Sequence, residues 1–576
     1  FFPRLAGIDG VGLGLIRQHN KLGKIFDIWC LHIPVHDRTT FTDLVKLVER
    51  AVRSENFRSP GRPIYIVGES LGGCIALAVA ARNHDIDLVL ILANPATSFG
   101  SSVLQALSAL SKGIPDLLNF SIPYMLSSIT GAPLKMVMTS WVKGLPLRQT
   151  IGELFEDLVT VSSYSSVLSN ILPVETLEWK LQMLNSASIF ANSQLDRVKA
   201  QTLILSSGND QLLPNKEEGK RLRQVLEKCE IRNFRGSGHF LFLEDGFDLV
   251  SVLKGAYFYR RGTKFDYVSD FMPVTHSEFN KFYGRTRLLE ILTGSVMFST
   301  SEDGKIMKGL NGIPSEGPVL IVGHHMLLGF DLVSLPDRFF AERNIILRGM
   351  GHPFMFTRLK DGLLPDVSRL DSRRMQGGVP VSAYNLHKLL SSNSHVLLYP
   401  GGIREAMHRK GEEYTLFWPK NPEFVRIAAK FGATIIPFGV VGADDVAQVF
   451  FDYNDQMKIP FFRSLIESLT SEAVKLRADA DGEIANQDLN IPLFFPKIPG
   501  RFYYYFGTPI KTKGRMTELK DKEKSGELYA QVKNEVERCI AFLKEKREYD
   551  PYRGLLSRLK YQVSHGFGSE VPTFDI

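Results

Sequence analysis

The sequence is poor in the features that mark oxidised, metal-bound or membrane-spanning chains. Its 576 residues include four cysteines, Cys30, Cys74, Cys229 and Cys539, scattered with no Cys-x-x-Cys pair. That spacing excludes a disulfide framework and a cysteine zinc site, so no metal is expected, and it fits a reducing compartment. No uninterrupted apolar run reaches the roughly 20 residues that a membrane-spanning helix needs. The nearest, residues 117–134, is broken by Pro123, Gly131 and Pro133 and reads as an interfacial or lid segment. There is no long basic tract either, and a formal net charge of +7 is small for this length. Such a balance mildly favours an anionic lipid surface or an acyl carrier partner and argues against nucleic acid. An initiating methionine is also missing: the chain opens on Phe1, and a strand-like fragment meets a glycine-rich loop at once. This gives the expectation that N-terminal sequence, any targeting peptide included, precedes it.

What is present is ordinary for a folded protein, with 44% hydrophobic and 23% charged residues. The length predicts two domains. The clearest signal is Ile64–Gly73, IYIVGESLGG, where four apolar β-formers run into a glycine-flanked serine followed by the small-residue run Cys74–Ala81. A strand, a sharp turn and a helix with a serine at the apex form a nucleophile elbow, and glycines leave room beside the nucleophile. The bland alternative is a serine in an ordinary β–α turn. Upstream, Leu5–Gly10 reads as a strand end entering a glycine-rich loop that can aim backbone N–H groups at an oxyanion. Ile8 and Asp9 are the candidate donors there, with the Leu71 N–H as the second. Residues 23–35 and 88–93 read as strands and 41–52 as a helix, an alternation that predicts a parallel α/β sheet. From residue 95 to 198 the alternation stops in a Leu-, Ser- and Met-rich segment, read as a helical cap over an apolar substrate. The sheet resumes at Thr202–Ser206. Asp210 follows a strand end and His239 lies in a glycine-bordered loop, so Ser70, Asp210 and His239 occur in the chain order of α/β-hydrolase triads.

A second unit begins near residue 261. Its strand Pro318–Gly323 ends in His324 and His325, with Asp331 shortly after, a base and an orienting carboxylate suited to deprotonating an attacking hydroxyl. A further strand, His395–Tyr399, leads into Pro400–Glu405, PGGIRE. Gly401 and Gly402 let backbone approach an anion or a developing oxyanion, and Arg404 is a candidate phosphate ligand. Glu405 reads as a structural anchor. Residues 494–507 read as a core or edge strand, and 528–542 as an amphipathic helix.

Taken together, GIDG (Gly7–Gly10), GESLGG (Gly68–Gly73), GHHMLLGFDL (Gly323–Leu332) and YPGGIREA (Tyr399–Ala406) resemble the plant phytyl ester synthases. These are chloroplast acyltransferases of the esterase/lipase/thioesterase family, and the resemblance spans essentially the whole chain. It implies an α/β-hydrolase-like domain over residues 1–260 joined to a diacylglycerol acyltransferase-like α/β domain over 261–576. The six-residue step from His325 to Asp331 matches the diacylglycerol-type branch, where acyltransferases in general use five. The implied products are fatty acid phytyl esters and triacylglycerol. The implied donors are acyl-CoA, acyl carrier protein thioesters and galactolipids, with phytol and diacylglycerol as acceptors and no cofactor beyond these substrates. The implied setting is the chloroplast, at the plastoglobule surface. On this reading His325 activates the acceptor hydroxyl, Asp331 orients it, Gly401, Gly402 and Arg404 hold the donor, and Ser70 forms an acyl-enzyme. A lipid esterase or thioesterase and a non-catalytic lipid-droplet coat protein are the alternatives.

Overall fold

The computed structural model describes residues 2–5, 7, 9, 10, 12–105, 173–356, 371–476, 482–485 and 487–576. It divides into Phe1–Phe265 and Asp266–Ile576, against the 260/261 boundary expected from sequence.

The first unit holds six parallel strands, β1 (Phe2–Leu5), β2 (Ile28–Cys30), β3 (Ile64–Glu69), β4 (Leu88–Ala93), β5 (Gln201–Ser207) and β6 (Cys229–Phe234), in the order β2-β1-β3-β4-β5-β6. All six residues of β3 and of β4 are buried. Strands covered on both faces read as unbroken apolar runs, which is why they were legible as strands. Within 23–35 only Ile28–Cys30 is strand, while the helix starting at Phe41 runs on to Arg58, with its N-terminus capped by Thr40.

The reading of 95–198 as a cap is corrected at its far end. Val174–Asn192 is a helix whose Leu177, Leu181, Leu184, Ala187 and Ala191 lie in the same buried cluster as the helix Leu71–Arg82. Its spacing is that of an ordinary core-facing stripe, and the residues from 174 onward belong to the body of the unit. The lid segment 117–134 and most of the expected cap lie outside the described residues. Among the described residues, no helix is long and apolar enough to cross a membrane.

The second unit is built on a nine-stranded mixed sheet. Its strands are β7 (Val296–Thr300), β8 (Ile306–Lys308), β9 (Val319–Gly323), β10 (Leu347–Gly351), β11 (Val379–Pro380), β12 (His395–Leu398), β13 (Thr434–Val441), β16 (Tyr503–Phe506) and β17 (Ile510–Lys511). The order is β11-β10-β12-β9-β13-β16-β7-β8, with β17 beside β13. A separate ladder pairs β14 (Ala447–Phe451) with β15 (Leu493–Pro496). The 494–507 stretch is therefore two elements: β15 in the ladder, and β16, fully buried between β13 and β7. One face of the sheet packs on the helix Lys522–Lys546, through Val532, Val536, Cys539 and Leu543. Of the four cysteines, Cys74, Cys229 and Cys539 are buried and Cys30 is exposed.

Candidate active sites

Parallel strands send their following loops to one edge of the sheet, where α/β folds keep their chemistry. Leu5 at the end of β1 lies opposite Gly68, and Gly68 lies opposite Leu92, so the glycine-rich loop and the elbow open side by side. Ser70 has φ 51° and ψ −110°, a strained positive-φ conformation of the kind concentrated at functional positions. Its N–H donates to Ala93 O at 3.0 Å, and its carbonyl accepts from Gly73 and Ala96, both at 3.0 Å. A Cβ on Gly68 would overlap the Gly72 carbonyl, and one on Gly73 would lie 2.8 Å from Pro95 Cβ, so the turn closes only without side chains there. Leu71 is the first residue of the elbow helix, where N–H groups have no intrahelical acceptor, so its N–H is open to an oxyanion.

Asp210 and His239 are joined. His239 Nδ1 donates to Asp210 Oδ2 at 2.7 Å, while Asp210 Oδ1 accepts from the N–H groups of Leu212 at 2.8 Å and Leu213 at 3.1 Å. The Asn215 amide also donates to Asp210 Oδ2. Burial pushes Asp210 up, but His239 and these donors outweigh it, leaving the carboxyl below its usual range. For His239, burial disfavours the cation, yet the Asp210 charge and hydrogen bond, with Glu69, leave it raised. Ser70 Oγ is buried and, among the described residues, makes no hydrogen bond to His239 or any other group. Catalytic hydrogen bonds are often long without substrate.

Three residues that sequence reasoning did not assign complete this site. Asn94 bonds the His239 carbonyl at 2.7 Å and both the N–H and hydroxyl of Ser207 at 2.9 Å, tying the histidine loop to the ends of β4 and β5. Glu69 is buried beside the elbow, and a Cβ on Gly14 would overlap its carboxylate. Lys180, also buried, donates to the Asp9 carbonyl at 3.2 Å, and a Cβ on Gly10 would lie 2.7 Å from its ammonium. Burial lowers Lys180 to about 8 against the opposing pull of Asp9. The loop glycines thus make space for buried charges, which composition cannot show. Of the candidate oxyanion donors, Asp9 is buried in this cluster, and Ile8 lies outside the described residues.

In the second unit β12 and β9 are parallel neighbours with Leu398 opposite Val322, which sets Tyr399 and Pro400 beside His324 and His325. His325 Nδ1 donates to Asp331 Oδ1 at 2.9 Å, and its ring lies flat on Tyr399, with centroids 4.1 Å apart. The Asp331 carboxylate also accepts from the Met326 N–H at 3.0 Å and from the Tyr399 hydroxyl. Burial raises Asp331, and His325 with these donors brings it below its usual range. The backbone reaches this geometry through left-handed Leu328 and Gly329, and a Cβ on Gly329 would sit 3.3 Å from the His325 ring. The neighbouring His324 is held neutral: burial lowers it to about 3, and among the described residues its Nδ1 has no hydrogen-bond partner. Tyr399 lies inside the YPGGIREA motif, yet nothing in the sequence marks it as a second side-chain donor to Asp331 beside His325.

Glu405 is an anchor. One carboxylate oxygen accepts the His325 N–H at 3.1 Å and the other the Phe417 N–H at 3.0 Å. A Cβ on Gly401 would overlap this side chain, and Gly402 has φ 53°, so the two glycines serve Glu405 and the turn. The expectation that Arg404 binds phosphate is corrected. Its guanidinium is buried, makes a bidentate pair with Glu412 at 2.7 and 2.8 Å, approaches Glu483 at 3.4 Å and stacks on Phe417 at 3.9 Å. A guanidinium so committed holds the loop 404–417 together. Among the described residues, no cluster of His, Cys, Asp and Glu could hold a metal ion.

Two protein families match the chain: serine aminopeptidase S33 over residues 35–246 and diacylglycerol acyltransferase over 361–468. The chain is 51% identical to phytyl ester synthase 2, chloroplastic, of Arabidopsis thaliana, covering 99% of this chain and 82% of that protein. It is 49% identical to phytyl ester synthase 1, chloroplastic, of the same plant, covering 99% and 81%. Among solved structures, an esterase from Exiguobacterium antarcticum is 16% identical, with 42% of this chain and 85% of that one covered and a TM-score of 0.30.

Proposed function

The chain belongs to the phytyl ester synthase family, and on that premise we propose that it is an acyltransferase esterifying phytol or diacylglycerol with fatty acyl groups. The observation that carries this reading is the His325–Asp331 pair, in which the carboxylate holds the ring at Nδ1, and Nε2 is the nitrogen we assign to the acceptor hydroxyl. Nε2 takes the hydroxyl proton as the oxygen attacks the acyl carbonyl carbon; the new C–O bond forms and the donor's C–S or C–O bond breaks. The proton on His325 then passes to the leaving thiolate or alkoxide. Asp331, held by Tyr399 and the Met326 N–H, keeps the ring oriented and balances its transient charge.

The donors are acyl-CoA, acyl carrier protein thioesters or galactolipids. Since the acyl group arrives as a thioester or ester, the transfer calls for no further cofactor. Ser70 with His239 and Asp210 takes acyl groups from such donors as an acyl-enzyme, the Leu71 N–H receiving the oxyanion. That same triad favours a second reading, a lipid esterase or thioesterase that releases fatty acid to water. The setting is the chloroplast, at the surface of plastoglobules; that both relatives are named chloroplastic supports the compartment.

The test is incubation of purified protein with labelled acyl-CoA and phytol, separating ester from free acid. His325→Ala is expected to lower ester formation by on the order of a hundredfold or more. Undiminished ester in that variant would move the transfer site elsewhere. If Ser70→Ala alone abolished all product and the parent gave only free acid, the esterase reading would stand.

A further inference from the structure

The β14–β15 ladder carries an apolar face that the first-described chemistry does not use. An extra residue, Phe450, is accommodated between the pairs Val449–Phe494 and Phe451–Leu493, and this bulge brings its ring onto Phe495, with centroids 4.2 Å apart. Leu493 and Phe495 are exposed beside it, the latter by 59%. The adjoining helix Pro460–Glu472 packs Phe462 against Phe451 and leaves Phe461 71% exposed, with Ile459 and Ile498 also open to solvent. Soluble chains seldom leave large apolar side chains grouped in this way without a binding role.

The surrounding charge identifies the partner. Lys458, Arg463 and Lys497, each within two residues of an exposed apolar side chain (Ile459, Phe461, and Phe495 with Ile498), are exposed. Arg463 is held there by bonds to the Met457 carbonyl at 2.7 and 2.9 Å, and Lys497 by one to the Asp444 carbonyl at 2.9 Å. The acids in the same stretch are occupied: Asp452 is buried, Asp455 pairs with Lys410 at 2.6 Å and with the exposed Lys458 at 3.6 Å, and Asp488 accepts from Tyr453 at 2.5 Å. The first exposed acid along the helix is Glu467. Exposed aromatic side chains with exposed cations close by in the chain suit an interface of acyl chains and anionic headgroups. On its inner side the ladder reaches the second site, since Phe494 meets Phe330 edge-on at 5.9 Å and Phe330 precedes Asp331.

We propose that this face, Phe450, Phe461 and Phe495 with Lys458, Arg463 and Lys497, inserts into an anionic lipid surface and so brings apolar substrate to His325. The choice of partner rests on the acyltransferase reading above; the contact itself does not require turnover. The experiment is flotation of the full chain with vesicles of phosphatidylcholine, alone or with an equal part of phosphatidylglycerol. The parent is expected to float with both and more strongly with the anionic ones. Combined Phe450→Ser, Phe461→Ser and Phe495→Ser should weaken binding to both by on the order of a hundredfold. Combined Lys458→Glu, Arg463→Glu and Lys497→Glu should remove only the phosphatidylglycerol increment. Phytol esterification from detergent micelles should persist in the serine variant while esterification of vesicle-borne phytol falls with its binding.

A serine variant that floats like the parent overturns the proposal, as does a charge-reversed variant with its phosphatidylglycerol increment intact. So does a parent that ignores vesicles and self-associates through this face, which would make the partner a second copy of the chain. If the parent floats, the serine variant does not, and neither makes ester, the docking surface stands and the proposed reaction fails.

Discussion

Glu69 shows how much a single buried carboxyl can impose on its surroundings. It is 6% exposed, and among the described residues its Oε1 makes no hydrogen bond. Burial chiefly, and then Asp9, raises it from 4.5 to about 7, against the attraction of His239 and Arg4. With its folded pKa raised, the native state holds a proton that the unfolded chain releases. Its contribution to stability is therefore full below about pH 4.5 and is lost as pH rises to about 7, a loss on the order of 3 kcal/mol. Glu69→Gln is expected to flatten that decline, read as the thermal midpoint of the first unit on either side of the window; an unchanged pH profile would count against this account. The residue was visible in GESLGG, but its state depends on Asp9, Arg4 and His239, which the fold brings together. Arg404 makes the same point in reverse. A run of PGGIRE suggests an open cation, and only the structure supplies Glu412 and Glu483 as its counter-ions.

Elements were more legible than environments. Strands buried on both faces, such as β3, β4 and β9, announce themselves as apolar runs, and the motifs sit where such strands end. The helix Val174–Asn192 was assigned to a cap because helical periodicity does not say which surface a stripe will meet. Two glycines had clear signals but a different purpose, since Gly401 leaves room for Glu405 to brace the turn after β12. A methyl group at Gly401 would displace that carboxylate and strand the N–H groups of His325 and Phe417. Gly401→Ala is expected to cost about 1–3 kcal/mol and to lower ester formation through loss of His325 positioning. Denaturant titration and the labelled-ester assay check the two parts. Full stability with reduced activity would point to donor binding at Gly401 instead.

At the scale of the whole chain, each unit has its own sheet and its own buried clusters, and each carries one histidine pinned through Nδ1 by an aspartate. The two-unit plan was readable because two motif sets stand in tandem, each following its own apolar strands. Units with separate cores tend to melt separately, so calorimetry is expected to resolve two transitions. Glu69→Gln should move one and Gly401→Ala the other; a single transition shifted by both would mean that the units unfold as one. The cysteines provide the means of telling which transition is which. Cys30 is open to a maleimide from the start, while Cys74 and Cys229 are hidden in the first unit and Cys539 in the second. Labelling during gentle heating, read by peptide mass, therefore dates the opening of each half on its own clock, with Cys30 as the built-in zero of time.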